Sequence, residues 1–277
     1  MDGMRLRRDT AYVNRANIFY RDTLDGDETI VCLHGRWGRG ETWSDFIARY
    51  RERYRIIAPD QRGHGLSDKP EGCYSGEVLA EDMHELLRAL GGAPAIVVGH
   101  SMGGRVAGTL AALHPESVRA LAILDEPAGT PGHTYKLGDD GTPVDPLTSE
   151  WPTPYSTYQQ ALDDLRARFP KETNVRYFLE SLKETEDGYD FLFSRHAMGA
   201  LSRDYHDWYD LLPGITCPSL LVRADESWCL SPEEAAKIRR TLPGCGYFEV
   251  AGSDHMVYAD NPEGFFRDFD QFIKTLP

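Results

Sequence analysis

Residues 95–113 read AIVVGHSMGGRVAGTLAAL. A short apolar run enters Gly99-His100-Ser101-Met102-Gly103, and residues with helix-forming tendencies follow from Gly103 to Leu113. To pass from strand to helix through one serine, the chain must turn sharply, and the small neighbours of Ser101 allow the backbone to fold that tightly. The turn holds the serine at the C-terminal edge of a sheet. The helix that opens there offers free N–H groups and the positive end of its dipole to a developing oxyanion. Unbroken rather than alternating hydrophobicity in the strand means that both of its faces are covered, as in a parallel sheet flanked by helices.

The rest of the chain keeps this rhythm. NIFY, TIVCL, RIIAP, VRALAIL, SLLVRA and GYFEV read as strands. WSDFIARYRERY, VLAEDMHELLRAL (stopped by Gly91 and Gly92), SPEEAAKIRRTL and PEGFFRDFDQFIKTL read as helices between and after them. Alternation of this kind predicts an α/β fold with a mainly parallel central sheet. A length of 277 residues with 41% hydrophobic content is enough for one large core. The rhythm breaks between about Pro127 and Pro213, where Pro, Gly and acidic residues give way to a helical, aromatic stretch. The expected organisation is a core of residues 1–126 and 214–277 with an inserted helical cap, or lid, at 127–213. Insertions over the carboxyl edge of such a sheet are where ligands bind.

Composition narrows the partners. A net charge of −14 repels phosphate backbones, so nucleic acid is not expected. The apolar runs are too short to span a bilayer, and no apolar stretch follows the charged MDGMRLRRDT, so neither a membrane segment nor a signal peptide is expected. Five cysteines at irregular spacing, without CxxC, point to reduced thiols in a cytoplasm and to no zinc site. GRWGRG lacks the lysine of a phosphate loop. The expectation is a small-molecule substrate handled without metal or cofactor; oligomeric state is not legible.

Four stretches, IVCLHGRWGRGETW, IIAPDQRGHGLSD, VVGHSMGGRV and GSDHMVYADNPEGF, together resemble the α/β-hydrolase fold superfamily over nearly the whole chain. The resemblance implies Ser101 as nucleophile, His255 as general base, and an oxyanion hole made by the backbone amides of Met102 and Arg36, with Trp37 beside it in the substrate pocket. His34, Asp60, Arg62 and His64 are expected to brace loops, as are Asp254 and Tyr258. The Arg36 side chain is left open between solvent and a pocket where it would attract an anion.

The triad acid has two candidate places. In the family's usual pattern it follows the strand after the cap, but there CPSLLVRADESW puts Ser227, or Trp228 with a one-residue shift, where the acid belongs. Asp225 falls too early, and Glu126 and Glu226 are minor candidates. A branch of the superfamily instead carries the acid at the end of the preceding strand. Asp125 ends VRALAILDEP there, twenty-four residues beyond Ser101. Asp125 is therefore preferred, with Asp225 the alternative.

This constellation implies a serine esterase or lactonase acting on a small carboxylic ester through an acyl-enzyme. The alternatives are a hydrolase of amides or C–C bonds in a small carboxylate-bearing substrate, the former as in a resembling group that hydrolyses amides of dicarboxylic acids, and a ligand receptor on the same fold. The cap's aromatic residues fit an apolar or ring-bearing group. Lys136, Arg166, Arg168, Arg176, Arg195 and Arg203 are candidates to neutralise a carboxylate.

Overall fold

The computed structural model describes residues 6–130, 136–242 and 244–277. The first five residues of the charged N-terminus and residues 131–135 of the expected insertion lie outside them.

The chain begins with β1 (Arg7–Val13), β2 (Ala16–Asp22) and β3 (Thr29–Leu33), then α1 (Ser44–Tyr50), β4 (Arg55–Pro59) and α2 (Gly76–Leu90). β5 (Ala95–His100), α3 (Met102–Leu113) and β6 (Val118–Leu124) complete the first part. After the insertion come β11 (Ser219–Ala224), α7 (Pro232–Thr241), β12 (Gly246–Val250), the single turn α8 (Val257–Asp260) and α9 (Pro262–Lys274). Eight strands form one sheet in the order β1-β2-β4-β3-β5-β6-β11-β12. β2 runs antiparallel to β1 and β4, and the other neighbours pair in parallel. The α/β class and the mainly parallel sheet are as the alternation predicts.

Local chemistry sets the ends of these elements. Ser75 caps α2 by accepting a hydrogen bond from Val78 N–H, and Gly91 closes it with φ 61°, a left-handed backbone that glycine adopts without strain. β5 is buried along its whole length, which is why its sequence is apolar without alternation. β1 was not anticipated. Its residues RRDTAYV carry charge on an edge strand of which only Val13 is fully buried, so the apolar signal of a strand is missing.

Among its described residues the insertion holds three α-helices, α4 (Tyr158–Arg168), α5 (Glu172–Leu179) and α6 (Arg195–Arg203). It also holds two small hairpins, β7 (Lys136–Leu137) with β8 (Pro143–Val144) and β9 (Leu182–Thr185) with β10 (Gly188–Phe191), which a purely helical expectation missed. Its aromatic residues pack mainly on one another: Trp151 lies 4.9 Å from Phe178, and Phe178 stacks on Phe169 at 5.0 Å between ring centroids. Among the described residues no helix is long and apolar enough to cross a membrane.

Candidate active site

Ser101 sits between β5 and α3 with φ 51° and ψ −129°, a conformation that costs an L-residue about 1–3 kcal/mol and needs its surroundings to hold it. Two glycines make the turn possible. A Cβ at Gly99 would stand 2.0 Å from Gly103 O, and one at Gly103 would stand 2.3 Å from Leu33 O. Gly103 thus lets α3 press against the end of β3, bringing the His34-Gly35-Arg36 turn beside the serine. A Cβ on Gly35 would lie 3.2 Å from the Ser101 Cβ.

That turn is braced by a neutral histidine. His34 Nε2 accepts from Gln61 N–H at 2.9 Å, Nδ1 donates to Gly35 O at 2.8 Å, and burial pushes its pKa down to about 3. Asp60 accepts from Arg21 and from the amides of Gly40 and Leu66, and Arg62 pairs with Asp82. His64 Nδ1 donates to Arg62 O at 2.9 Å. His34, Asp60, Arg62 and His64 thus hold loops, and none of the four lines the cavity described below.

β6 and β11 bring Asp125 to His255. Ser101 N–H donates to Leu124 O at 2.9 Å and Asp125 N–H to Val222 O at 2.8 Å, so serine and aspartate stand at neighbouring strand ends. Asp125 is fully buried at φ 51°. Its Oδ2 accepts from His255 Nδ1 at 2.7 Å and from Ser227 Oγ at 2.7 Å, and its Oδ1 accepts from Ala224 N–H at 2.9 Å. Asp225, by contrast, is exposed and accepts from Ser253 N–H at 3.1 Å within the histidine loop. Glu226 is exposed as well. His255 meets Asp125 and not Asp225.

Two contacts escaped sequence reasoning, although both had a visible signal. Ser227, at the place the resemblance gives to the usual acid, donates to Asp125. The empty place in the motif was the clue. His100, inside the elbow motif, donates from Nε2 to His255 O at 3.0 Å, and burial holds it neutral, with its pKa well below the usual value. Asp254 and Tyr258 serve the loop. Tyr258 stacks on Trp43 at 4.4 Å, while Asp260 accepts from Asp254 N–H at 3.2 Å and from the Thr173 hydroxyl at 2.5 Å.

Ser101 and His255 open into one cavity of about 300 Å³. Its walls include Trp37, Phe169, Tyr177, Phe178 and Trp228, from core and insertion alike. Trp228 is 69% exposed, and its ring centroid lies 4.5 Å from that of His255. The Arg36 guanidinium turns toward the insertion, donating to Met198 O and Ser202 Oγ, 3.6 Å from Asp145. Burial lowers its pKa to about 10, against the opposing pull of Asp145. None of the other candidate cations lines the cavity, and the arginines among them are occupied elsewhere. Arg166 pairs with Glu172, Arg168 with Asp164, Arg176 with Glu180, and Arg203 with Asp204. Arg195 donates to Thr153, and Lys136 is exposed.

One group among the described residues has metal-like composition: His84, His114 and Glu116, with ligand atoms within 4.8 Å of one another. The two imidazoles stack at 3.9 Å with planes 17° apart, so their in-plane lone pairs run side by side and do not converge on one ion.

The chain matches the model of the alpha/beta hydrolase fold over residues 28–262. The protein is an α/β-hydrolase. This hydrolase is 31% identical over 257 residues to 2-(acetamidomethylene)succinate hydrolase of Mesorhizobium japonicum, covering 88% of this chain and 87% of that one. It is 27% identical over 258 residues to sn-1-specific diacylglycerol lipase ABHD11 of Mus musculus, covering 90% and 83%. Among solved structures, E-2-(acetamidomethylene)succinate hydrolase has a TM-score of 0.82 at 26% identity, covering 98% of this chain and 100% of that one. The enol-lactonase from Burkholderia xenovorans LB400 has a TM-score of 0.72 at 21% identity, covering 96% and 100%, a likeness of fold alone. With relatives of this kind, the hydrolase is an enzyme.

Proposed function

We propose that the enzyme cleaves a small carboxylic ester or lactone by two-step acyl transfer. Ser101 Oγ attacks the carbonyl carbon while His255 Nε2 takes its proton, and the amides of Met102 and Arg36 receive the oxyanion. The proton then passes to the departing alkoxide oxygen, leaving an acyl-serine. Water, deprotonated by the same nitrogen, releases the acid and restores Ser101. Asp125 fixes His255 as the Nδ1–H tautomer and stabilises the imidazolium as it forms, and Ser227 positions Asp125.

The observation that carries this reading is the 2.7 Å bond from His255 Nδ1 to buried Asp125. With Nδ1 committed, Nε2 is left for proton transfer, and Ser101 shares the cavity with it. We take residues 127–213 as a cap that selects the substrate, since Phe169 and Phe178 bring its surface to the cavity. We place the enzyme in the cytoplasm, where five free cysteines stay reduced.

A second reading, amide hydrolysis, is favoured by the 31% identity to an enzyme named for an acetamido substrate. Both readings face one experiment: kcat/KM for p-nitrophenyl acetate and for the matching acetanilide, with wild type and Ser101→Ala. The ester reading expects ester turnover that Ser101→Ala lowers by about 10⁴-fold or more. Ester turnover that survives the substitution would sink the serine mechanism, and turnover of the amide alone would select the second reading.

A further inference from the structure

Among the described residues Arg36 is the only arginine or lysine lining the catalytic cavity, and its charge is already answered. Asp145 is buried, with Oδ1 3.6 Å from Arg36 Nη2. The Asp145 carboxylate is held in place by Trp37 Nε1–H at 3.0 Å, by Thr148 N–H at 2.9 Å and by the Thr148 hydroxyl. The Arg36 Nη2 donors are further spent on Met198 O and Ser202 Oγ. The pair is thus neutral overall. A ligand carboxylate in the cavity would find the guanidinium already neutralised by a buried carboxylate and its Nη2 donors spent, and would surrender its own hydration for little net attraction.

The remaining walls are mostly aromatic. Trp37, Phe169, Phe178 and Trp228 surround a volume of about 300 Å³. That is roughly twice the ~150 Å³ in which an apolar protein cavity takes up benzene. An aromatic ring with a short substituent therefore fits, and its faces would meet ring faces and edges at contact distance.

We infer that the cavity selects an uncharged ester with an apolar or aryl acyl group and rejects one that brings a second carboxylate, so that this enzyme parts company at the pocket wall with the relative named for 2-(acetamidomethylene)succinate. The inference rests on the ester reading for turnover but not for binding, and the two are measured separately.

The probes are the methyl esters of 4-isopropylphenylacetic acid and of 4-carboxyphenylacetic acid, alike in size and different in charge. Their binding to Ser101→Ala, which leaves both intact, is followed through the fluorescence of lining residues Trp37 and Trp228. Their hydrolysis by wild type is followed by release of methanol. The isopropyl ester should be preferred by about 100-fold in both Kd and kcat/KM, the size of effect expected for burying an uncompensated carboxylate. In Asp145→Asn, which unmasks Arg36, that preference should shrink by about tenfold. Equal or better binding of the carboxylate ester by Ser101→Ala overturns the inference. So does a preference that Asp145→Asn leaves unmoved. Should Asp145→Asn fail to fold, the Ser101→Ala comparison still decides. If Ser101→Ala prefers the isopropyl ester while wild type hydrolyses neither ester, the ester reading fails and the pocket inference stands.

Discussion

The two halves of the candidate site are held by different means. Around Ser101 the backbone does the work: Gly99 and Gly103 approach neighbouring backbone atoms too closely for any side chain, and the serine is locked at φ 51°. Around Asp125, whose backbone is also at φ 51°, side chains complete the geometry, with Oδ2 shared between His255 and Ser227 across three loops. A backbone lock leaves no freedom of position. A carboxylate has reach, so it can approach the histidine from either of two adjacent strand ends.

This contrast can be tested. The largest expected effect is on the side-chain half: Asp125→Asn should lower kcat/KM for a reactive ester by about 10⁴-fold, because an amide favours the wrong histidine tautomer. If steady-state kinetics show a loss below about tenfold, the acid lies elsewhere. On the backbone half, Gly103→Ala should act on folding itself. Its Cβ would stand 2.3 Å from Leu33 O and 2.7 Å from His34 O, and overpacking against backbone should cost more than about 3 kcal/mol in chemical denaturation. A Gly103→Ala protein of wild-type stability would mean the elbow is looser than described.

Glu126 sharpens the comparison by pH. It lies beside Asp125, fully buried, accepting from Tyr205 OH at 3.2 Å, and burial raises its pKa to about 7 against the pull of Arg105. Since the folded value lies above the unfolded 4.5, its contribution is fully present below pH 4.5 and is lost as pH rises through 7. The loss amounts to about 3 kcal/mol. Wild type should therefore lose more thermal stability than Glu126→Gln between pH 5 and pH 8. Parallel Tm curves for the two proteins would remove Glu126 from the account. The smallest effects separate the two candidate acid positions after β11. Ser227→Ala, which removes one donor to Asp125, should lower kcat by about tenfold with KM little changed. Asp225→Asn, exposed and turned to the loop, should stay within about threefold. A reversal of that order would restore the usual position of the acid.

Much of this was legible beforehand for reasons the halves make plain. The strands RIIAP, TIVCL and SLLVRA lie over the apolar runs IIAP, IVCL and LLV, because a strand covered on both faces is mostly apolar without alternation; Arg223 is the exception inside SLLVRA. β1 escaped because an edge strand with one wet face has no such run. The insertion's hairpins escaped because Lys136–Leu137 and Pro143–Val144 are too short to carry a period.

By itself the sequence determined the strand–helix alternation and the elbow at Ser101, since each depends on local backbone chemistry: glycine where a Cβ cannot go, and helix stops where the chain turns. The hydrolase fold and the place of His255 came from the resemblance that its motifs carry. Only the tertiary structure decided which acid meets the histidine, that Ser227 supports it, and that Arg36 comes already paired with Asp145. Those are contacts between residues roughly a hundred positions apart, and nothing in a linear pattern records how far a side chain reaches.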